Sequence, residues 1–216
     1  AGSALIAGGA VATASAIGPA TLTVLSSNDT TFAGIVADYY TEYGNPAGVL
    51  TARVNLVKSG PATLTMSGAH TFQGSLTVES GALVLSGSAV LGGGTYQGAL
   101  TNLGRILLSS SASQTWEGVL SGTGTLVKAG TGVLTLAGAN LYAGGTIVSG
   151  GTLRVRNASG SGTGSGPVNL RAGTLLAGSG SLASAVDAPA GVTLAAGDAG
   201  VGTLTLGALR LGAGST

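Results

Sequence analysis

The chain has 216 residues, of which 41 are glycine, about 19% where roughly 7% is usual, while only 7% are charged and 44% are apolar. That balance excludes a disordered polyelectrolyte and leaves enough apolar material for a core. A net charge of +1 with no basic run excludes the footprint of a nucleic-acid binder, and zero cysteines exclude disulfides, thiolate metal sites and cysteine nucleophiles.

From the amino terminus, the chain carries no charged side chain before Asp29. Ala14-Ser15-Ala16 resembles a signal-peptidase site. However, there is no initiating Met or basic n-region, and Gly8, Gly9 and Pro19 interrupt the apolar stretch, so this part reads as the neutral, strand-rich start of a mature chain with no membrane insertion. Next, Phe32-Ala33-Gly34 opens a mark that recurs as Phe72-Gln73-Gly74, Tyr96-Gln97-Gly98, Trp116-Glu117-Gly118 and Tyr142-Ala143-Gly144. The interval from Gly34 to Gly74 is far longer than those that follow it. Lys58 also follows Gly34 at a much greater distance than Lys128 follows Gly118, and the excess places an insertion of roughly 14 residues in that first interval. With it removed the period is about 20 to 26 residues, the length of one solenoid coil of about three short strands.

The insertion is placed at residues 38–53, DYYTEYGNPAGVLTAR. It holds Tyr39, Tyr40 and Tyr43, three of the five tyrosines, with Asp38 and Glu42, and Tyr43-Gly44-Asn45-Pro46 is a turn signal. It is expected to project as a hairpin-like loop. Exposed tyrosines suit recognition, so Tyr39, Tyr40, Glu42, Tyr43 and Asn45 are the candidate partner contacts, toward a host or matrix ligand or a neighbouring copy of the chain. The alternative is that the loop only caps a local apolar patch.

Residues 56–85 and 126–155 align without gaps at an offset of 70, with twelve of thirty positions identical, among them Lys58/Lys128, Gly60/Gly130 and Leu64/Leu134. Between glycines, apolar residues alternate with small polar ones, as in Leu64-Thr65-Met66 and Leu134-Thr135-Leu136, the period-2 pattern of strands with one face buried. Glycine at this frequency forbids long helices and supplies positive-φ corners. The two lysines read as exposed strand-end charges that protect a sheet from foreign pairing. Phe32, Phe72, Tyr96, Trp116 and Tyr142 read as an internal or corner ladder, with the last four in one column about 4.8 Å apart per rung, in preference to a carbohydrate-stacking strip. His70, the only histidine, aligns with Asn140 and reads as a corner residue rather than a metal ligand or base. Residues 157–167, NASGSGTGSGP, read as a flexible loop or weak linker, or as a normal loop between coils.

The second copy, with its L-x-K-x-G-x-G-x-L-x-L-x-G-x-N-x-Y-x-G-G-T core, resembles the passenger-associated transport repeat of autotransporter passenger domains. The first copy is a degenerate version, with Pro61, Ala62, His70, Phe72 and Ser75 at departing positions. Residues 191–211 resemble a segment that often follows such repeats, with Ala196 where Pro is usual. The resemblance implies a right-handed parallel β-helix on the surface of a Gram-negative or related bacterium. The membrane β-barrel such proteins use for export is not in this sequence, so it reads as one all-β solenoid or a passenger piece of a longer one.

The acids Asp29, Asp38, Glu42, Glu79, Glu117, Asp187 and Asp198 are scattered, with no D-x-D or E-x-D pair, so neither a glycosidase-type carboxylate pair nor a calcium site is indicated and no catalytic, cofactor or metal residue is assigned. The expected function is non-enzymatic: a stalk or display surface with an adhesive role, or a filament subunit stacking end to end. A polysaccharide-degrading β-helix ranks below both.

Overall fold

The computed structural model describes residues 3–5, 19–40, 51–197 and 201–213. Short strands of two to eight residues are separated by glycine-rich corners, and the one helical element among these residues is a single 3-10 turn at Gly92–Gly94. The strands form three parallel sheets, the sides of a β-solenoid of about eight coils. Sheet I runs Ser3–Leu5, Ala20–Leu25, Val54–Ser59, Leu76–Val78, Leu100–Asn102, Leu120–Ser121. Sheet II has nine strands, from Thr30–Phe32 and Thr63–Met66 through Thr125–Lys128 to Ser181–Ala188 and Thr205–Leu211. Sheet III runs Thr95–Tyr96, Gln114–Trp116, Val133–Leu136, Thr152–Val155, Leu175–Gly178, Thr193–Ala196.

Like residues stack because each coil pairs in register with the next. Leu22, Leu56, Leu76, Leu100 and Leu120 form one inward column on sheet I, and Leu64, Leu83, Ile106 and Leu126 form another on sheet II. These side chains are almost all fully buried, each large aliphatic contributing roughly 1.5 to 3 kcal/mol. Leu22 to Leu56 is one coil, and so is Leu56 to Leu76; the first step exceeds the second by the length of the insertion expected from the sequence.

The two repeat copies occupy different sides of the solenoid. In the first, Val54–Ser59 lies on sheet I and Thr63–Met66 on sheet II. In the second, Thr125–Lys128 lies on sheet II and Val133–Leu136 on sheet III. Register accounts for it: three coils from Leu56 reach Leu120, whereas the repeat offset carries Leu56 to Leu126, past a corner and onto the next side.

That rotation corrects the expected aromatic column. Tyr96 pairs with Trp116 on sheet III, and Phe72 continues the column one coil earlier, its ring 5.5 Å from Tyr96 in an edge-to-face contact. Tyr142 occupies the position of Phe72 in the second copy, but there it lies beside sheet I, where Leu141 N–H donates to Leu120 O and Ala143 N–H to Gly122 O. Phe32 pairs with Met66 on sheet II. The ladder therefore has three members, and the aromatic mark follows the repeat rather than the coil. Polar atoms inside it are matched: Trp116 Nε1 donates to Gln114 Oε1 at 2.9 Å, and the Tyr96 hydroxyl donates to Gly74 O.

Residues 157–167 form an ordered corner, not a flexible linker. Asn157 Nδ2 donates to Ser159 O, Gly160 O and Ser181 Oγ while its Oδ1 accepts from Ser181 N, and Ser161 Oγ donates to Gly164 O.

Two glycines separate the roles of corner glycine. Gly87 has φ of 62° and open space where a Cβ would sit. Gly122 has φ of 103° and would place a Cβ 2.1 Å from Asn102 O on the adjacent coil. Gly87→Ala is expected to cost about 1 kcal/mol, the left-handed penalty alone, and Gly122→Ala about 3 kcal/mol or more because the coils must also part. Denaturant unfolding of both variants checks the order.

Candidate functional site: the inserted segment and its anchoring corner

The inserted residues leave their coil at the corner between sheets III and I, just after Val36, whose carbonyl accepts from Thr71 N and Phe72 N. The strands flanking them, Tyr39–Tyr40 and Thr51–Ala52, pair antiparallel, with Tyr39 opposite Ala52 and Tyr40 opposite Thr51, in a fold whose other described strand pairs are parallel. Tyr39 and Tyr40 thus sit on the stem of a hairpin. Glu42, Tyr43 and Asn45 lie outside the described residues, as does Ala14-Ser15-Ala16.

The stem is fastened by Asp38. Its Oδ1 accepts from Val54 N at 2.8 Å and its Oδ2 from Gln73 N at 2.9 Å, so one carboxylate ties the outgoing chain, the returning chain and the next coil together. Arg53 Nη1 donates to Gln73 O at 3.2 Å. From here a polar ridge follows the corner between sheets III and I. Gln73 Nε2 donates to Thr95 O, Gln97 N donates to Gln73 Oε1, and Gln97 Nε2 donates to Glu117 Oε2. Arg53, Asn55, Gln73, Ser75 and Gln97 line a shallow open groove of about 450 Å³ beside the stem. Pro19, Gly74, Gly98 and Ala99 complete its lining, and its amides are engaged within the chain, Asn55 Oδ1 by Ser75 N and Oγ and Gln73 by Thr95 O and Gln97 N.

One side away, at the corner between sheets II and III, lies His70, fully buried. Its Nδ1 accepts from Val36 N at 3.1 Å, and its ring stacks on Phe32 at 6.2 Å. In the second copy Asn140 does the same work: Oδ1 accepts from Leu120 N at 2.7 Å and Nδ2 donates to Gly162 O at 2.6 Å. Regular parallel pairing sends such an N–H to the preceding backbone carbonyl of the next coil, as Ala20 N does to Arg53 O. At this corner a side chain replaces that carbonyl. His70 is therefore a corner residue as expected. Its acceptor duty is specific, and the alignment with Asn140, another side chain able to accept, is the one signal of it in the sequence.

The lysines are not exposed strand ends. Lys58 and Lys128 take inward positions, paired with Val78 in sheet I and Val148 in sheet II, and both are buried. Lys58 Nζ donates to the carbonyls of Ser59, Gly60 and Ser80, and Lys128 Nζ to those of Gly130 and Gly150. The ammonium is satisfied by corner carbonyls, one of which, Ser59 O, also accepts from Ser26 N, and a charge at this depth requires such partners. Burial pulls Lys128 down to about 8, and it lowers Lys58 as well, against an upward pull from Asp29. Burial likewise pushes the phenols of Tyr96 and Tyr142 upward, reinforced at Tyr96 by Asp38.

Among the described residues no cluster of three or more His, Asp or Glu is placed to hold a metal ion, and no helix is long and apolar enough to cross a membrane.

With this geometry in place, comparison with known proteins is informative at one level. Residues 56–85 and 126–155 match the family profile of the passenger-associated transport repeat, and no curated protein and no solved structure gives a match. The chain thus carries two passenger-associated transport repeats on a parallel β-solenoid. The matched segments are the two that hold the buried lysines and the His70/Asn140 corner.

Two outcomes test this site. Asp38→Ala orphans two backbone donors and is expected to cost about 2 kcal/mol, with Asp38→Asn, which keeps an acceptor, losing about half as much in denaturant unfolding. Lys128 is expected to titrate near pH 8 when its side chain is followed by NMR. Because the unfolded chain then binds more protons between pH 8 and 10.5, the Lys128 contribution should make the fold more stable as pH rises through that window. A free-lysine titration would contradict the burial.

Proposed function

We propose that this chain is a non-enzymatic display segment of a bacterial surface or secreted protein, in which the solenoid sets length and the inserted hairpin at 38–53 makes contact with a host or matrix ligand. The carrying observation is the antiparallel stem Tyr39–Tyr40/Thr51–Ala52, held by the Asp38 carboxylate and set beside a polar corner groove. An insertion that only interrupted the coil would need no such fastening. The tyrosine-rich composition of the segment favours contact, because an aromatic ring with a hydroxyl buries much area for little entropy. The passenger-type repeats support a surface or secreted location. The scattered acids support a structural rather than a catalytic role.

A second reading is end-to-end self-assembly into a filament, for which coils that pair strand to strand in parallel register are a suitable stacking unit.

Replacing residues 39–52 by a two-glycine linker tests the first reading, since the paired stem brings the flanking residues close enough to join. The variant is expected to keep the β-sheet circular-dichroism spectrum and unfolding midpoint, and to lose attachment to collagen- or fibronectin-coated surfaces and cultured epithelial cells. Equal attachment of both proteins, or none by the parent, overturns the hairpin assignment. Electron microscopy at several concentrations tests the second reading: uniform-width fibres that lengthen with concentration support it, and short monomeric rods refute it.

A further inference from the structure

The orphaned nitrogen of His70 sets the first repeat apart from the second. With Nδ1 accepting from Val36 N–H, the ring proton resides on Nε2, and Nε2 is buried without a partner. Asn140, at the matching corner, engages both of its polar atoms. An asparagine would thus complete the His70 corner better, and it would not titrate.

Val36 is also the residue through which the chain enters the insertion. Its carbonyl accepts from Thr71 N at 2.9 Å and Phe72 N at 3.3 Å, and two residues later Asp38 makes the bonds to Val54 and Gln73. The His70–Val36 bond is therefore the first fastening of a short series that ends at the hairpin stem.

We propose that His70 is a proton-operated latch: protonation releases the Val36–Asp38 stretch from the adjacent coil and loosens the anchorage of the inserted hairpin. The step is a single proton uptake. The proton adds to the Nδ1 lone pair, which turns the acceptor of the Val36 bond into a donor, so two N–H groups face each other at a distance of 3.1 Å. The imidazolium also carries its charge into a site walled by Phe32 and the apolar core, with no counter-charge built for it. On the elements packed around His70, Asp38 has its two oxygens engaged by Val54 and Gln73, Tyr96 donates to Gly74 O, and Lys58 is held by three carbonyls. Asp29, Arg53 and Glu79 are exposed.

Burial holds His70 down to about 4 from its ordinary 6.5. The closed junction thus refuses a proton that the open one accepts. As pH falls below 6.5 the equilibrium moves toward opening, by at most 10 to the power (6.5 − 4), about 300-fold, and the effect saturates below pH 4. As control over a display hairpin, the latch rests on the function proposed above; as a property of the junction, it does not.

Amide hydrogen exchange, corrected for intrinsic rates, tests it at pH 7 and pH 4 on the parent chain and on His70→Asn. In the parent, protection of Val36, Val54, Phe72 and Gln73 should fall at least tenfold at pH 4 while residues 133–136 keep theirs. In His70→Asn the junction should be equally protected at both pH values. Unchanged protection in the parent, an equal loss in His70→Asn, or a loss spread over the whole solenoid would each overturn the latch, the second by showing that His70 is not the group responsible. His70→Gln serves if the asparagine variant does not fold. No ligand enters the measurement, so a negative result leaves the recognition reading standing, and failure of the hairpin replacement to affect attachment leaves the latch standing.

Discussion

Everything in this molecule depends on the in-register parallel ladder between successive coils. Each coil lends its N–H and C=O groups to the next, so a side chain at one position finds its equivalent about 4.8 Å away, and columns of leucine follow. The same ladder makes corners the expensive places. There the chain bends, carbonyls lose their partners, and adjacent backbones come so close that a Cβ at Gly122 would sit 2.1 Å from the neighbouring carbonyl oxygen. A glycine content near one residue in five, and the buried lysines, are two answers to that one constraint.

The lysines and the His70/Asn140 position show how the repeat answers it chemically. A buried ammonium has three donors and no acceptor, which matches a corner lined with carbonyls. At the opposite kind of defect, an N–H whose carbonyl has turned away, the chain supplies an acceptor, Asn140 Oδ1 or His70 Nδ1. The motif is a set of side chains that repair the ladder where it bends, and it needs only the adjacent coils to do so. That is why it works equally on sheets I and II and on sheets II and III.

Much of this is legible in the sequence. The alternation around Leu64 and Leu134 marks strands, the glycine spacing marks corners, and the uneven intervals of the aromatic mark reveal the insertion that the step from Leu22 to Leu56 displays. What misleads is the assumption that a repeated mark recurs once per coil. Phe72 and Tyr142 hold equivalent places in the repeat, and an offset of three coils and part of a fourth puts them on different sides. The lysines mislead because charge suggests exposure, although their identical placement in both copies, each beside a glycine corner, points to a shared backbone duty. The Asp38 clamp has no such signal, since its partners Val54 and Gln73 are distant in sequence and meet it only across coils.

Because the second copy is turned by one side relative to the first, the long axis of the solenoid has a built-in azimuth. A segment duplicated at this offset points its corners a third of a turn away from those of its parent, and a chain lengthened by further duplications would carry equivalent corners round the rod like steps of a spiral stair. Of the two repeat corners described, only that of the first copy adjoins an insertion, so this stretch presents the surface of its insertion in a single direction. Lengthening by whole coils would carry that surface further from its base without changing its bearing, whereas lengthening by the repeat offset would swing it round.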